Sequence, residues 1–252
     1  MTRRNSCGET LKKFDQDRTF HTFRDHGWHY EGEITAWQMK ANRYAFVKDV
    51  SQINNATELR RTYNKYLRRD LKKGDRNLRL VELERHELPE FMDVLEASNQ
   101  RNAVVGRQLD YYEKFIDAFG DKVKFLGARV DETDALAAAT CFVVNGRELA
   151  CYIGGMRREY KAFRPNAWLL DQAMAWAIGQ GIERVNMFWF EGKFENNSLL
   201  EFKSRFGGEV EEYIGGFEKI LRPVEYQMRR VRQKTKSFAR RLLTIQQRRY
   251  HD

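Results

Sequence analysis

Proline and cysteine are scarce here, three of each in 252 residues, and each scarcity excludes something. So little proline argues against long coil linkers. Cys7, Cys141 and Cys151 are odd in number and form no CxxC pair. Neither a disulfide framework nor a cysteine-rich zinc site is indicated, and a reducing cytoplasm is the simplest home. Long apolar runs are also missing. The first thirty residues hold none of signal-peptide length, and the longest stretch elsewhere, Ala135 to Val144, is interrupted by Thr140. A soluble, unexported protein without a membrane span is expected. HExxH is absent, and His21, His26 and His29 sit loosely near the N-terminus; they read as surface histidines, so no metal is expected.

What is present is buriable surface. Hydrophobic residues make up 42% of the chain, including 17 Phe, 11 Tyr and 5 Trp, more than a disordered chain carries and enough for one large core. The net charge of +9 is concentrated at one end. Residues 222–252 hold ten Lys and Arg against Glu225 and Asp252, whereas the 221 residues before them hold 35 Lys and Arg against 34 acids. That tail has no glycine and only Pro223, and Met228, Val231, Phe238, Leu242 and Ile245 form a ragged apolar stripe. It reads as a basic amphipathic helix.

A second basic element runs from Thr57 to Gly74, read as one helix with Thr57 as N-cap and Gly74 as stop. At about 100° per residue, Arg61, Lys65, Arg68 and Lys72 share one stripe, with Leu59, Tyr63 and Tyr66 opposite. Taken alone, such a helix is as readily a solvated face over a buried aromatic side. Two such elements in one chain point to a polyanion, because Lys and Arg that neutralise phosphates are the usual source of nucleic-acid affinity. The tail would add Arg229, Arg230, Arg232, Lys234, Lys236, Arg240 and Arg241.

Between the basic elements, short strands and helices alternate. Leu78 to Leu83 reads as a strand, Leu88 to Ala97 and Gln108 to Phe119 as helices, and KVKFLGARV, ALAAATCFVV and ELACYIGG as a strand meander. Asn145-Gly146 is a type I′ hairpin signal within it. Ala167 to Gly179, apolar almost all round, reads as a buried helix opening at Asn166, followed by the strand ERVNMFWF, the helix NSLLEFKSRFGG and one last strand EVEEYIGGFEKIL. This order is the plan of the GNAT acyltransferase fold, an α/β architecture with a mixed sheet flanked by helices. Three segments are expected: residues 1–76, a 77–221 GNAT-like catalytic domain, and the 222–252 tail. Classical GNAT members carry a glycine-rich turn whose bare N–H groups cradle the pyrophosphate of coenzyme A. The corresponding stretch here, KAFRPNAWLL, has no glycine, and Pro165 removes a donor. An acyl-CoA donor is disfavoured.

The runs FRPNAWLLDQAMAWAIGQGIERVNMF and NNSLLEFKSRFGGEVEEYIGGFEKILRPVEY resemble the C-terminal GNAT domain of the Fem family of aminoacyl-tRNA-dependent peptidyltransferases, with its hallmark Phe-Lys-x-x-Phe-Gly-Gly segment. LRRTYNKYLRRDLKKG resembles the stretch that closes that family's first domain, and the likeness covers roughly residues 44–226. Residues 1–76 are too few for a whole first domain, so they read as its remnant. The resemblance implies transfer of an aminoacyl group from charged tRNA, as co-substrate and with no other cofactor, to an amine of a peptide-like acceptor. That acceptor is either a peptidoglycan precursor or a peptidyl antibiotic or other secondary metabolite.

It also implies site residues. Lys203 matches the family lysine near the tRNA 3′ end, suited to an oxyanion or a terminal phosphate. Phe202 matches the aromatic beside it, able to stack on the terminal adenosine; Phe202 and Phe206 are equally a core pair at i, i+4. Arg107 and Tyr111 resemble a pair that contacts acceptor phosphates, although at this spacing they also suit a plain helix pair. Tyr152 matches a tyrosine facing the acceptor cleft. Two other classes stay open: an acyl-CoA-dependent N-acyltransferase, and a nonenzymatic RNA-binding module on a degenerate GNAT scaffold.

Overall fold

A computed structural model describes residues 20–24, 38–40, 44–102, 106–190, 197–212, 216–220, 222–228, 231 and 235, with backbone alone at 20–24, 38–40, 102, 190 and 216–220. The chain divides into two compact units, Phe46–Phe188 with Ser198–Glu209, and Met1–Ala45 with Trp189–Asn197 and Val210–Asp252.

In the second unit, β1 (Phe20–Arg24) and β2 (Gln38–Lys40) flank a strand from the other end of the chain, Gly216–Ile220, in an antiparallel three-stranded sheet. Phe20 is opposite Ile220, and Met39 is opposite Phe217. The expected single strand EVEEYIGGFEKIL is therefore two. Its first part, Glu209–Glu212, belongs to the large sheet, and its second part belongs to this small one. Gly215 and Gly216 fall at the division, where glycine weakens a continuous strand.

The large sheet contains, in chain order, β3 (Tyr44–Asp49), β4 (Leu78–Glu82), β5 (Val123–Val130), β6 (Leu136–Asn145), β7 (Glu148–Met156), β8 (Arg184–Phe190) and β9 (Glu209–Glu212); Gly216–Ile220 is then β10. The spatial order is β4-β5-β6-β7-β8-β3-β9. Neighbours from β4 to β7 run antiparallel, as expected of a meander, and β7 pairs with β8 in parallel. The β6–β7 hairpin forms where Asn145-Gly146 marks it, but with a different turn. Asn145 pairs with Glu148, so the two loop residues are Gly146 and Arg147, and of these only Gly146 has positive φ. Glycine at the first central position is the II′ pattern rather than I′.

Helices cover the sheet. α3 (Leu88–Asn102) lies on β6 and β7, and with α4 (Leu109–Phe119) it closes a core of Leu88, Phe91, Val94, Tyr112, Phe125, Leu136 and Cys141. Phe91 sits edge-on to both Tyr112 and Phe125, at 5.3 and 4.9 Å between centroids, an arrangement that adds to area burial. α5 (Pro165–Gly179) lies along β5, β6 and β7 and is buried at Ala167 through Asp171, Ala173, Met174 and Ala177. The all-round apolar pattern is borne out.

The basic element is not one helix. It is α1 (Ala56–Arg61) and α2 (Lys65–Gly74), capped by the side chains of Asn55 and Asn64, which accept from the Glu58 and Leu67 amides; Thr57 is not the cap. The break has a cause. The Asn64 amide donates to the carbonyl of Arg205 at 3.0 Å instead of to its own helix, while its side chain starts a new one. Gly74 is set by packing, since a Cβ there would lie 2.3 Å from the Trp168 ring. Leu59 and Tyr63 are buried as expected, whereas Tyr66 is exposed, with the Lys65 ammonium 5.2 Å from its centroid.

Candidate active site

The site begins where the β7–β8 ladder ends. Register runs from Glu148 opposite Arg184 to Ala150 opposite Asn186, and both strands continue beyond it. In that continuation, Tyr152 of β7 and Phe188 of β8 meet edge to face at 6.0 Å. Phe188 has φ +66°, a conformation that costs a bulky residue energy and persists only when its surroundings fix it. They do fix it. The Phe188 amide donates to the Asn186 side chain at 2.8 Å, and its carbonyl accepts from Lys203 Nζ at 2.9 Å. Asn186, itself buried, donates to Glu148 at 3.1 Å.

Lys203 comes from α6 (Ser198–Ser204) and is 5% exposed, so it is not a solvated helix lysine. Burial lowers its pKa to about 8, with the nearby Cys151 acting weakly the other way. Near neutrality it is mostly an ammonium, close enough to its pKa to change charge in the working range. Burial pushes the thiol of Cys151 up to about 12, so near neutrality it is a thiol and not a thiolate.

Within the Phe-Lys-x-x-Phe-Gly-Gly segment, Phe206, Gly207 and Gly208 are architecture. Phe206 is fully buried edge-on to Tyr63 at 5.3 Å. Gly207 has φ +67°, and a Cβ there would lie 2.6 Å from the Thr62 carbonyl; one at Gly208 would lie 2.5 Å from that of Val47. Both glycines are therefore demanded by the close approach of α1 and β3. A second buried lysine, Lys48 of β3, locks the turn by donating to the Gly207 carbonyl at 2.9 Å and the Thr62 hydroxyl at 2.8 Å. Its pKa also falls to about 8 through burial. Phe202 is half-buried, its ring 5.5 Å from that of Phe206.

The three residues assigned to the acceptor come together. The hydroxyls of Tyr111 and Tyr152 are 2.6 Å apart, and the exposed Arg107 guanidinium lies 4.9 Å from the Tyr111 centroid. Phe115 stacks on Tyr152 at 5.1 Å. Burial, and then the hydrogen bond shared with Tyr111, raises the pKa of the Tyr152 phenol, so it stays protonated. Arg107, Tyr111, Tyr152, Phe188 and Lys203 thus form one connected string through hydroxyls, rings and a carbonyl.

Arg61, Lys65, Arg68 and Lys72 are all exposed, and the helix break leaves Arg61 on α1 and the other three on α2. Arg229, Arg230, Arg232, Lys234, Lys236, Arg240 and Arg241 lie outside the described residues, as do His26 and His29. At the position of a coenzyme A turn, Arg164 holds φ +57° and Pro165 opens α5. The Arg164 side chain pairs with Asp70 of α2 at 3.5 Å.

Sequence reasoning missed Lys48, Asn186 and Phe188. A lone lysine in a strand reads as an edge residue, and the Lys48 partner Gly207 is 159 positions away. A left-handed phenylalanine has no sequence signal at all.

The family model described as the FemAB family matches residues 1–136 and 128–234. Aminoacyltransferase FemA of Staphylococcus aureus (strain bovine RF122 / ET3-1) is 29% identical over 164 residues, 62% of this chain and 36% of that protein; FemA of strain MW2 gives the same figures. The match therefore spans about a third of the length of these relatives. The crystal structure of FemX superposes with a TM-score of 0.63 at 15% identity, covering 89% of this chain and 70% of that one. L-PGS from Bacillus licheniformis gives 0.50 at 13% identity, covering 82% and 67%. At such identities the likeness is one of fold, the GNAT-like mixed α/β plan. With the family match covering most of its length, the chain belongs to the FemAB family.

Proposed function

We propose that this protein is an aminoacyltransferase that moves an amino acid from the ester of a charged tRNA to the amine of a peptide-like acceptor. The observation that carries the reading is the connected string from Arg107 to Lys203, at the end of the β7–β8 ladder, in a chain of the FemAB family. The resemblance assigns acceptor-side residues to one end of that string and the tRNA-side residue to the other.

An aminoacyl ester is already activated, so catalysis is mainly alignment and stabilisation of the oxyanion. The neutral acceptor amine attacks the ester carbonyl carbon. The new C–N bond forms, the C–O bond to the ribose breaks, and the proton lost by nitrogen ends on the departing ribose hydroxyl. An α-amino group with a pKa of about 8 is partly neutral near pH 7, so this balance needs no buried carboxylate base. Lys203, anchored on the Phe188 carbonyl, supplies a fixed ammonium for the oxyanion or the tRNA end. Phe202 stacks on the terminal adenosine. Arg107 takes an acceptor phosphate, and the hydrogen-bonded Tyr111 and Tyr152 line the acceptor side. The exposed cations of α1 and α2 follow the tRNA backbone, and no cofactor besides charged tRNA is needed. A reaction on charged tRNA places the protein in the cytoplasm, and the acceptor is a cell-wall precursor or a small peptide metabolite.

The test is transfer of labelled amino acid from a mixture of charged tRNAs, with a muropeptide precursor and a free short peptide as alternative acceptors. Label in either product supports the reading. Transfer from acetyl-CoA instead, or saturable coenzyme A binding in calorimetry, would establish the acyl-CoA alternative. Tight tRNA binding without transfer to any amine would leave an RNA-binding module.

A further inference from the structure

Among the described residues beyond 222, a helical stretch carries an exposed apolar face. Residues 223–228, 231 and 235 are helical. The Tyr226 amide donates to the Arg222 carbonyl at 3.0 Å, and the Thr235 hydroxyl donates to the Val231 carbonyl at 3.1 Å. On it Val224, Met228 and Val231 are 74%, 68% and 60% exposed, more than any other large apolar side chain described. Their spacing of four and three places them on one face. The sequence repeats that spacing at Thr235, Phe238, Leu242 and Ile245. As a sequence pattern at about 100° per residue, the set from Val224 to Ile245 spans about 100°, and of the tail's Lys and Arg only Arg249 shares that span.

An occupant of this face must be apolar in the middle and negative at the sides. RNA phosphates answer the cations but give three exposed aliphatic side chains nothing to bury against. A second copy answers the stripe but brings another ten cations against the first ten. An anionic bilayer offers both, with acyl chains beneath a layer of negative headgroups. We propose that the helical stretch carrying Val224, Met228 and Val231 lies in the surface of an anionic membrane, with these three side chains inserted at the headgroup boundary and the Lys and Arg that neighbour them in sequence drawn to the phosphates. Among the described residues no helix is long and apolar enough to cross a membrane, and the attachment proposed for this stretch is peripheral. It does not depend on the transferase reading.

The experiment is co-sedimentation of the full chain with vesicles of phosphatidylcholine alone and of equal parts phosphatidylcholine and phosphatidylglycerol. Partitioning at least about tenfold stronger with phosphatidylglycerol is expected, because binding adds apolar burial to attraction by anionic lipid. The triple variant Val224→Ser, Met228→Ser, Val231→Ser keeps every charge and should lose about tenfold or more of that partitioning while melting with the wild type, since all three side chains are exposed. Equal pelleting with both vesicles overturns the proposal. So does a serine variant that pellets like the wild type, which would leave the cations acting alone. Two further results also overturn it: loss of affinity for bulk tRNA in that variant, making the stripe an RNA contact, and a wild-type dimer in sedimentation velocity that the variant dissociates, making it a seam between copies.

Discussion

Phe188 and Lys203 act on one another. A phenylalanine at φ +66° is strained by about 1–3 kcal/mol, and the Lys203 hydrogen bond to its carbonyl is one of the contacts that hold it there. Lys203→Met should therefore do two things. It should destabilise the fold by about 1–3 kcal/mol, because a carbonyl loses its donor in a place poor in water. It should also lower single-turnover transfer at saturating charged tRNA by about 100-fold or more, as loss of one oxyanion donor does. pH separates the two effects. With a pKa near 8, the ammonium is present below that value and lost above it, so the wild-type rate should fall as pH rises through about 8, against the rising neutrality of the acceptor amine. The variant should show only the rise. A falling limb that survives in Lys203→Met removes Lys203 from the chemistry. The motif singled this lysine out, but its burial was not legible in the sequence, because its partner, the Phe188 carbonyl of β8, is fifteen positions away.

The two basic helices are held by one arginine. Arg60 of α1 grips Asp171 of α5 through Nε and Nη2, at 3.1 and 2.7 Å, and Asp75 at the end of α2 through two bonds of 2.8 Å; Trp168 Nε1 adds 2.9 Å to Asp75. The Asp171 side chain is 2% exposed, and burial raises its pKa despite Arg60. Arg60→Ala should cost about 3–5 kcal/mol at pH 7, the usual penalty for stranding a buried charge. A carboxyl whose folded pKa lies above its unfolded one destabilises while ionised and stops doing so once protonated. The deficit of the variant should therefore shrink as pH falls from 7 towards 5, which denaturant titrations at the two values would show. A constant deficit would mean that packing alone is lost. At this scale, periodicity revealed the meander, the buried α5 and the exposed cations, all of which depend on neighbours in sequence. It failed where distant partners decide. Asn64 ends a helix because Arg205 takes its amide, and β10 leaves β9 because β1 and β2, about 180–200 positions earlier in the chain, provide its edges.

For the whole molecule, charge has been assigned two tasks that the same cations cannot perform at once. Arg61, Lys65, Arg68 and Lys72 stand exposed on α1 and α2, while the tail carries ten Lys and Arg that either RNA phosphate or lipid phosphate attracts. Salt dependence tells the two sets apart. Each phosphate neutralised by a cation contributes about 0.9 to the slope of log K against log salt on duplex RNA-like backbone, so a surface following an acceptor stem gives a steep slope. Neutralising the α1–α2 stripe, as Arg61→Gln with Lys65→Gln, Arg68→Gln and Lys72→Gln, should lower the slope for uncharged tRNA by up to about four contacts' worth and weaken binding in low salt. Removing residues 231–252 should flatten it further if the tail also reaches tRNA. If the tail instead serves the membrane, deletion should leave the tRNA slope near the wild-type value and abolish binding to phosphatidylglycerol vesicles. Fluorescence titrations with tRNA over a range of salt concentrations, set beside vesicle sedimentation of the same three proteins, decide the division. A slope unchanged in the glutamine variant would show that the α1–α2 cations are only a solvated face, and the tRNA path would then have to be sought elsewhere on the molecule.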